Sequence, residues 1–213
     1  MVLFPGKLYP ITDTRLSGMT HAEQLAQLAA GGARLVQLRE KDRDARTFFS
    51  DAEAAIATAR AQGIRVIIND RVDLAKCAGA DGVHLGQDDL PPEAARKLLG
   101  PDAIIGFSTH TTAQARHAAT LPINYLAIGP VFATGTKTNP DKVVGLDGLS
   151  RVREIVGDMP LVAIGGITLE NAAAVISAGA DAVAVISALY QKPAEISETT
   201  ERFLHLLDSL PTK

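Results

Sequence analysis

Residues 161–187 read Leu-Val-Ala-Ile-Gly-Gly-Ile-Thr-Leu-Glu-Asn-Ala-Ala-Ala-Val-Ile-Ser-Ala-Gly-Ala-Asp-Ala-Val-Ala-Val-Ile-Ser. A short apolar run, 161–164, stops at a glycine pair, a helical pattern follows over 171–178, Gly179 ends it, and a second apolar run begins at Ala182. Short apolar runs bounded by turn residues read as buried strands. Glycine directly after a helical pattern supplies the left-handed residue that closes a helix C-terminus. The stretch is therefore a strand, a crossover helix and a second, parallel strand, since parallel neighbours need a crossover of this length.

Reading outward, Cys77-Ala78-Gly79-Ala80-Asp81 repeats Ser177-Ala178-Gly179-Ala180-Asp181, and Ala29-Ala30-Gly31-Gly32-Ala33 is a looser copy; each ends a helix immediately before a strand. Strands are predicted at 8–12, 35–40, 66–69, 82–85, 104–107, 125–128, 161–164 and 182–186. Helices are predicted at 22–30, 45–61, 92–99, 113–119, 149–156 and 171–178, with a last one over 197–210. Eight strand–helix units at a spacing of about 25 residues, with no low-complexity linker, predict one domain over 1–213, a single (β/α)8 TIM barrel. An open doubly wound sheet is the alternative.

Composition agrees and excludes other classes. With 213 residues, 46% hydrophobic and 21% charged, the chain has the balance of a folded globular domain. A net charge of -3 and the lack of a basic stretch argue against a nucleic-acid partner and for small-molecule substrates. No basic lead precedes an apolar run at the start, and no stretch approaches the roughly 20 apolar residues of a membrane span, so neither export nor a membrane is expected. The single cysteine, Cys77, falls in the pattern Val72, Leu74, Ala75, Ala78 and reads as a small buried residue in a reducing cytoplasm. A homo-oligomer is left open.

In such barrels chemistry gathers where strands end and βα loops begin. Strand two ends Gln37-Leu38-Arg39-Glu40-Lys41, and alternation puts Gln37, Arg39 and Lys41 on one face toward the barrel mouth, with Leu38 toward the helices. An amide, a guanidinium fork and an ammonium together suit a diphosphate, against the plainer reading of a solvated strand end with Lys41 paired to Asp42 or Asp44. Strand three ends at Asn69-Asp70 and strand four at Gly86-Gln87-Asp88-Asp89. Asp70 and Asp89 are a carboxylate pair suited to Mg²⁺, or else each caps the following helix. Ser108 after strand five either donates to a phosphate or helps start a helix capped by Thr111 or Thr112. His110 has no evident carboxylate to orient it as a base. A long polar loop, 129–138, carries Thr134, Thr136 and Lys137 after strand six and either binds or closes over something or is a plain surface loop. Gly165-Gly166-Ile167 and Ile186-Ser187 after the last two strands offer close backbone approach for a phosphate, or simply a tight turn.

Taken in order, Gln37-Leu38-Arg39-Glu40-Lys41, Asn69-Asp70, Gly86-Gln87-Asp88-Asp89, Ser108, Thr134-Gly135-Thr136-Lys137, Gly165-Gly166-Ile167 and Ile186-Ser187 resemble the hallmarks of the thiamine phosphate synthase family over nearly the whole chain. That resemblance implies a transferase that joins hydroxymethylpyrimidine diphosphate to hydroxyethylthiazole phosphate and releases pyrophosphate. By resemblance, Gln37, Arg39, Lys41, Asn69, Ser108 and Lys137 would hold the diphosphate, with Arg39, Lys41, Lys137 and Ser108 assisting its departure. Asp70 and Asp89 would ligate Mg²⁺. Thr134, Thr136, Gly166, Ile186 and Ser187 would receive the thiazole phosphate. The family's reaction is dissociative, the methylene cation being captured by the thiazole nitrogen. Three rivals stand beside it. A thiazole tautomerase-like isomerase has no need of the basic trio and carboxylate pair together, and in that family a histidine stands where this chain has Gly129-Pro130. A Schiff-base barrel would want a lysine in an apolar strand interior, whereas Lys41 and Lys137 have polar neighbours. A non-catalytic thiamine-precursor binding protein would be distinguished by the absence of turnover.

Overall fold

The side on which each strand residue lies follows from the period of two. In the computed structural model, which describes residues 3–135 and 141–211, Val36 and Leu38, Val66 and Ile68, Val83 and Leu85, and Ile105 and Phe107 pack outward among the helices. The alternate positions Tyr9, Leu35, Ile67, Ile104, Tyr125, Val162 and Ala182 pack inward with one another. Two apolar layers result, one between sheet and helices and one filling the centre. The strands are β1 (Leu8–Pro10), β2 (Leu35–Leu38), β3 (Arg65–Asn69), β4 (Gly82–Leu85), β5 (Ile104–Thr109), β6 (Tyr125–Ile128), β7 (Leu161–Ile164) and β8 (Ala182–Val185). All described pairings are parallel, in the order β1-β8-β7-β6-β5-β4-β3-β2. An Ile11–Gln37 bridge joins β1 to β2, with the Thr12 amide donating to the Gln37 carbonyl at 2.9 Å. The sheet therefore closes into a barrel, and the open doubly wound alternative is excluded.

The helices are α1 (Thr14–Ser17), α2 (His21–Ala30), α3 (Ala45–Ala61), α4 (Val72–Ala78), α5 (Pro92–Leu99), α6 (Thr112–Ala118), α7 (Gly145–Val156), α8 (Ala172–Ser177) and α9 (Ile196–Asp208). Their starts follow ordinary capping chemistry. Thr20 and Glu23 form a reciprocal capping box on α2, Asp44 caps α3 and Thr111 caps α6. Two differences from the sequence reading concern α1 and α7. The short α1, capped by Asp13, has too few residues to show a period. The glycines at 145 and 148 disguise the start of α7, which is tied down by bonds from the Val144 and Gly145 amides to the carbonyls of Pro130 and Val131. A third is a correction: Cys77 is exposed, not buried. At 100° per residue it points away from the face on which Val72, Leu74 and Ala75 are buried.

At the N-terminal rim of the barrel the same device appears three times. Asp81 before β4 accepts from the Val66 amide of β3, Asn124 before β6 from Ile105 of β5, and Asp181 before β8 from Leu161 of β7, at 2.7, 2.8 and 2.8 Å. Each clamp is backed by an arginine near the end of the preceding odd-numbered helix. Arg60 of α3 bonds the Gly79 carbonyl, Arg96 of α5 bonds Asn124 and the Ala103 carbonyl, and Arg153 of α7 bonds Asp181 and the Met159 carbonyl.

Candidate active site

At the opposite rim the strand ends surround one cavity of about 530 Å³. Gln37, Arg39 and Lys41 all line it, as expected from alternation, although β2 ends at Leu38 and not at residue 40, so the irregular segment 39–41 keeps the two basic side chains on the cavity side. Glu40 lies on the other side, buried behind the loop. There it accepts from the Lys41 and Asp42 amides and from the Thr14 hydroxyl at 2.8, 3.0 and 2.9 Å. Burial pushes its carboxyl up, but the Asp42 amide, the Thr14 hydroxyl and the Lys41 amide outweigh that, and the net shift is downward. An ionised Glu40 thus folds the loop that presents its two basic neighbours. Arg39 is held from beneath by Asp13, Nη1 to Oδ2 at 3.1 Å, while the other oxygen of Asp13 caps α1 through the Arg15 and Leu16 amides. Asp13 was missed by the sequence reading; its signal was an acidic residue just past the end of a strand.

Lys41 is paired across the mouth with Asp70, at 2.5 Å, and not with Asp42 or Asp44 as the plainer reading had it. Asp70 lines the cavity at φ 61°, in the left-handed region that costs a non-glycine residue on the order of 1 kcal/mol or more. It does not cap α4: the N-cap there is Arg71, without a side-chain bond. Asp89 does not cap α5 either, whose N-cap is Pro91. Instead Asp89 accepts from the Gly86 amide at 2.7 Å, closing its own loop. Its carboxyl is raised, first by burial and then, against the Gly86 bond, by a hydrogen bond to and the charge of Asp70. Two carboxylates that face each other at a mouth and repel when both are ionised fit a hard divalent cation, which relieves the repulsion and keeps open positions for water and phosphate oxygens. Among the described residues no cluster of three or more His, Cys, Asp or Glu forms a fuller metal cage. Asp88 also lines the cavity but is exposed.

Asn69 is buried beside Asp70 at the end of β3, and Ser108, inside β5, faces the same space. Ser108 takes no part in starting α6; its Oγ lies 2.8 Å from His84 Nε2. His110 is oriented after all, by the Gly129 carbonyl at 2.7 Å and by Asp141 at 3.5 Å. Thr134 lines the cavity on the far side, together with Gly166, Ile186 and Ser187. Thr136 and Lys137 lie outside the described residues. The first half of the loop after β6 is not a surface loop, because Val131 is buried.

Both glycines after β7 are in the positive-φ region, at 104° and 63°, and both are needed for close packing. A Cβ on Gly165 would meet Pro130 Cβ at 2.5 Å, and one on Gly166 would meet the Ala133 carbonyl oxygen at 2.5 Å. The floor between the two ends of the cavity is apolar, formed by residues such as Ile11, Ala127, Val162 and Ala184. Among and behind these residues sits a polar cluster that sequence reading also missed, with Tyr9 and His84 lining the cavity and Tyr125 behind them. His84, Tyr125 and Tyr9 are buried, with His84 stacked on Tyr125. Burial lowers the His84 pKa to about 4 and raises both tyrosines. The available signal was alternation, since His84 lies between outward Val83 and Leu85 and must point in.

Fold and site together define a (β/α)8-barrel enzyme whose mouth gathers basic, carboxylate and glycine-rich strand ends around one cavity. The model of one family, thiamine monophosphate synthase, matches residues 8–189, and the chain belongs to that family. It is 46% identical over 206 residues to a thiamine-phosphate synthase of Koribacter versatilis, covering 93% of this chain and 96% of that one. It is 42% identical to the Azorhizobium caulinodans thiamine-phosphate synthase, with 97% of each chain covered. Among solved structures, thiamine phosphate pyrophosphorylase from Pyrococcus furiosus is similar, with a TM-score of 0.85 and 35% identity, and 95% of each chain is covered.

Proposed function

We propose that this protein is a thiamine phosphate synthase, joining hydroxymethylpyrimidine diphosphate to hydroxyethylthiazole phosphate with release of pyrophosphate. The observation that carries the reading is one cavity with two different anion-receptive ends. Arg39 and Lys41 stand with the carboxylate pair at the ends of β2 to β4, and a glycine turn stands at the end of β7. An apolar floor between them suits two aromatic heterocycles brought edge to edge. The pyrimidine methylene–oxygen bond breaks with its electron pair leaving on the diphosphate, and the thiazole nitrogen supplies the pair for the new carbon–nitrogen bond.

The protein's task is positional and electrostatic. Arg39 offers a planar fork held in place by Asp13, Lys41 a mobile charge whose bond to Asp70 is replaceable, and Ser108 a hydroxyl beside them. Such preorganised charge stabilises the negative charge that grows on the departing group. Asp70 and Asp89 would hold Mg²⁺, which, when bound, neutralises diphosphate oxygens and makes them a better leaving group. Lys137 would join the diphosphate end, and Thr134, Thr136, Gly166, Ile186 and Ser187 would receive the thiazole phosphate. Among the described residues no helix is long and apolar enough to cross a membrane, and the single cysteine suits a reducing cytoplasm, where we place the enzyme. The test is direct: incubate the protein with both substrates and Mg²⁺. Thiamine phosphate and pyrophosphate should appear in equal amounts over many turnovers; none of either, from folded protein, would overturn the reading.

A further inference from the structure

Gly106 of β5 sits in register between His84 of β4 and Tyr125 of β6. Because it carries no side chain, the two residues meet across the intervening strand, ring centroids 5.5 Å apart at 24°. A Cβ there would lie 2.0 Å from Tyr125 Cζ and 2.5 Å from His84 Nδ1. The gap at Gly106 lets one unbroken chain of hydrogen bonds cross the barrel along the cavity wall. Gln37 Nε2 donates to Tyr9 Oη at 3.0 Å, the two tyrosine hydroxyls are 2.8 Å apart, and Tyr125 Oη is 2.8 Å from His84 Nδ1. His84 Nε2 then lies 2.8 Å from Ser108 Oγ. Gln37, Tyr9, His84 and Ser108 all line the cavity, the first three almost wholly buried, and Tyr125 lies fully buried behind them.

Such a chain has a direction, because every hydroxyl has one hydrogen and a neutral imidazole has one N–H and one lone pair. The Gln37 nitrogen has no lone pair and must donate, and among the described residues Tyr125 is the acceptor bonded to the buried Tyr9 hydroxyl, so the Tyr9 hydrogen goes to Tyr125 and the Tyr125 hydrogen to His84 Nδ1. His84 then carries its hydrogen on Nε2 and gives it to Ser108. The Ser108 hydrogen is left to point into the cavity. With the opposite direction Ser108 would spend its hydrogen on His84 and show only lone pairs to an anion. We propose that Tyr9, Tyr125 and His84 are positioning residues that set the Ser108 hydroxyl as an obligate donor to an oxygen of the departing diphosphate. This rests on the synthase reading of the cavity.

Two measurements test it, the first independent of any activity. In the resting protein, nitrogen-15 NMR of the His84 ring, assigned by its loss in His84→Gln, should show the neutral tautomer protonated at Nε2. A ring protonated at Nδ1 reverses the chain and overturns the proposal, whatever the enzyme turns over. The second is a double-mutant cycle on kcat with Tyr125→Phe and Ser108→Ala. Tyr125→Phe removes the hydroxyl that holds the direction without changing the ring, and should lower kcat about tenfold. Once Ser108 is alanine, the same change should cost less than twofold, because no hydroxyl is left to orient. Equal losses in both backgrounds would mean that Tyr125 acts only on barrel packing, and the proposal fails. If the unsubstituted enzyme makes no thiamine phosphate, the synthase reading fails while the tautomer still reports on the chain.

Discussion

Replacing Gly166 by alanine tests the division of the cavity into two ends. The residue has φ 63°, where any side chain costs about 1–2 kcal/mol. The new Cβ would lie 2.5 Å from the Ala133 carbonyl oxygen and 2.8 Å from Phe132 Cβ. A backbone oxygen cannot rotate aside, so the 132–133 segment must move, at a cost of about 1–3 kcal/mol for overpacking. The sum, about 2–5 kcal/mol, lowers the melting temperature by roughly 4–20 °C at about 2–4 °C per kcal/mol for a chain of this size. A side chain at 166 is aimed at the loop that leads to Thr134. The damage therefore reaches the end proposed for the thiazole phosphate through the loop. If two charge-assisted hydrogen bonds are lost there, at about 1.5–3 kcal/mol each, affinity falls a hundredfold or more. Arg39, Lys41 and Asp70 are far along the rim and should keep their affinity for the pyrimidine diphosphate. Calorimetry with each substrate separately, on protein shown to be folded by circular dichroism, reads both numbers. Unchanged thiazole phosphate binding beside lost diphosphate binding would invert the assignment of the two ends.

Other perturbations test the remaining parts. Arg39→Lys keeps the charge but loses the fork between Asp13 and the substrate, so kcat should fall at least tenfold; a rise in KM alone would show a uniform binder with no role in bond breaking. Asp70→Asn and Asp89→Asn should each abolish most Mg²⁺-dependent turnover, and asparagine at 70 tolerates the left-handed backbone, so folding should be spared; exposed Asp88→Ala should be mild, and an equal loss there would indicate the wrong carboxylate. His84 is buried neutral with its pKa lowered from 6.5 to about 4, so the unfolded chain takes up a proton that the folded protein refuses. Its stability contribution is complete above pH 6.5 and declines as pH falls toward 4. Between pH 7 and pH 5 the unsubstituted protein should lose about 2 kcal/mol more in urea unfolding than His84→Gln, and equal losses would refute a neutral buried His84.

The barrel was legible because its strands are buried on both faces and its helices end on glycine, as at Gly79 and Gly179, where two periods meet at fixed spacing. The rim residues were legible for a related reason. Alternation along 37–41 separates Arg39 and Lys41 from Leu38 and Glu40 without reference to any other strand. What could not be read was anything that depends on registry between strands. The contact of His84 with Tyr125 exists only because Gly106 lies between them, and the pairing of Lys41 with Asp70 spans two strand ends. Nor could local pattern decide between capping and cavity for Asp70 and Asp89, since both roles place a carboxylate just past a strand. Cys77 failed for a different cause: in a helix of 7 residues the apolar face is too short to fix its phase.

The three arginine-backed clamps at the N-terminal rim recur with every second strand, each tying β3 to β4, β5 to β6 and β7 to β8. At that end the barrel is a threefold echo of one strand-pair unit, each unit a quarter of the eight-stranded sheet. At the other end no such echo survives: the strand pairs finish in Asn69-Asp70 and Asp89, in Ser108, and in Gly165-Gly166 and Ser187. Symmetry is present where the chain is held shut and absent around the cavity, so exchanging one rim's loops leaves the other rim's bolts in place.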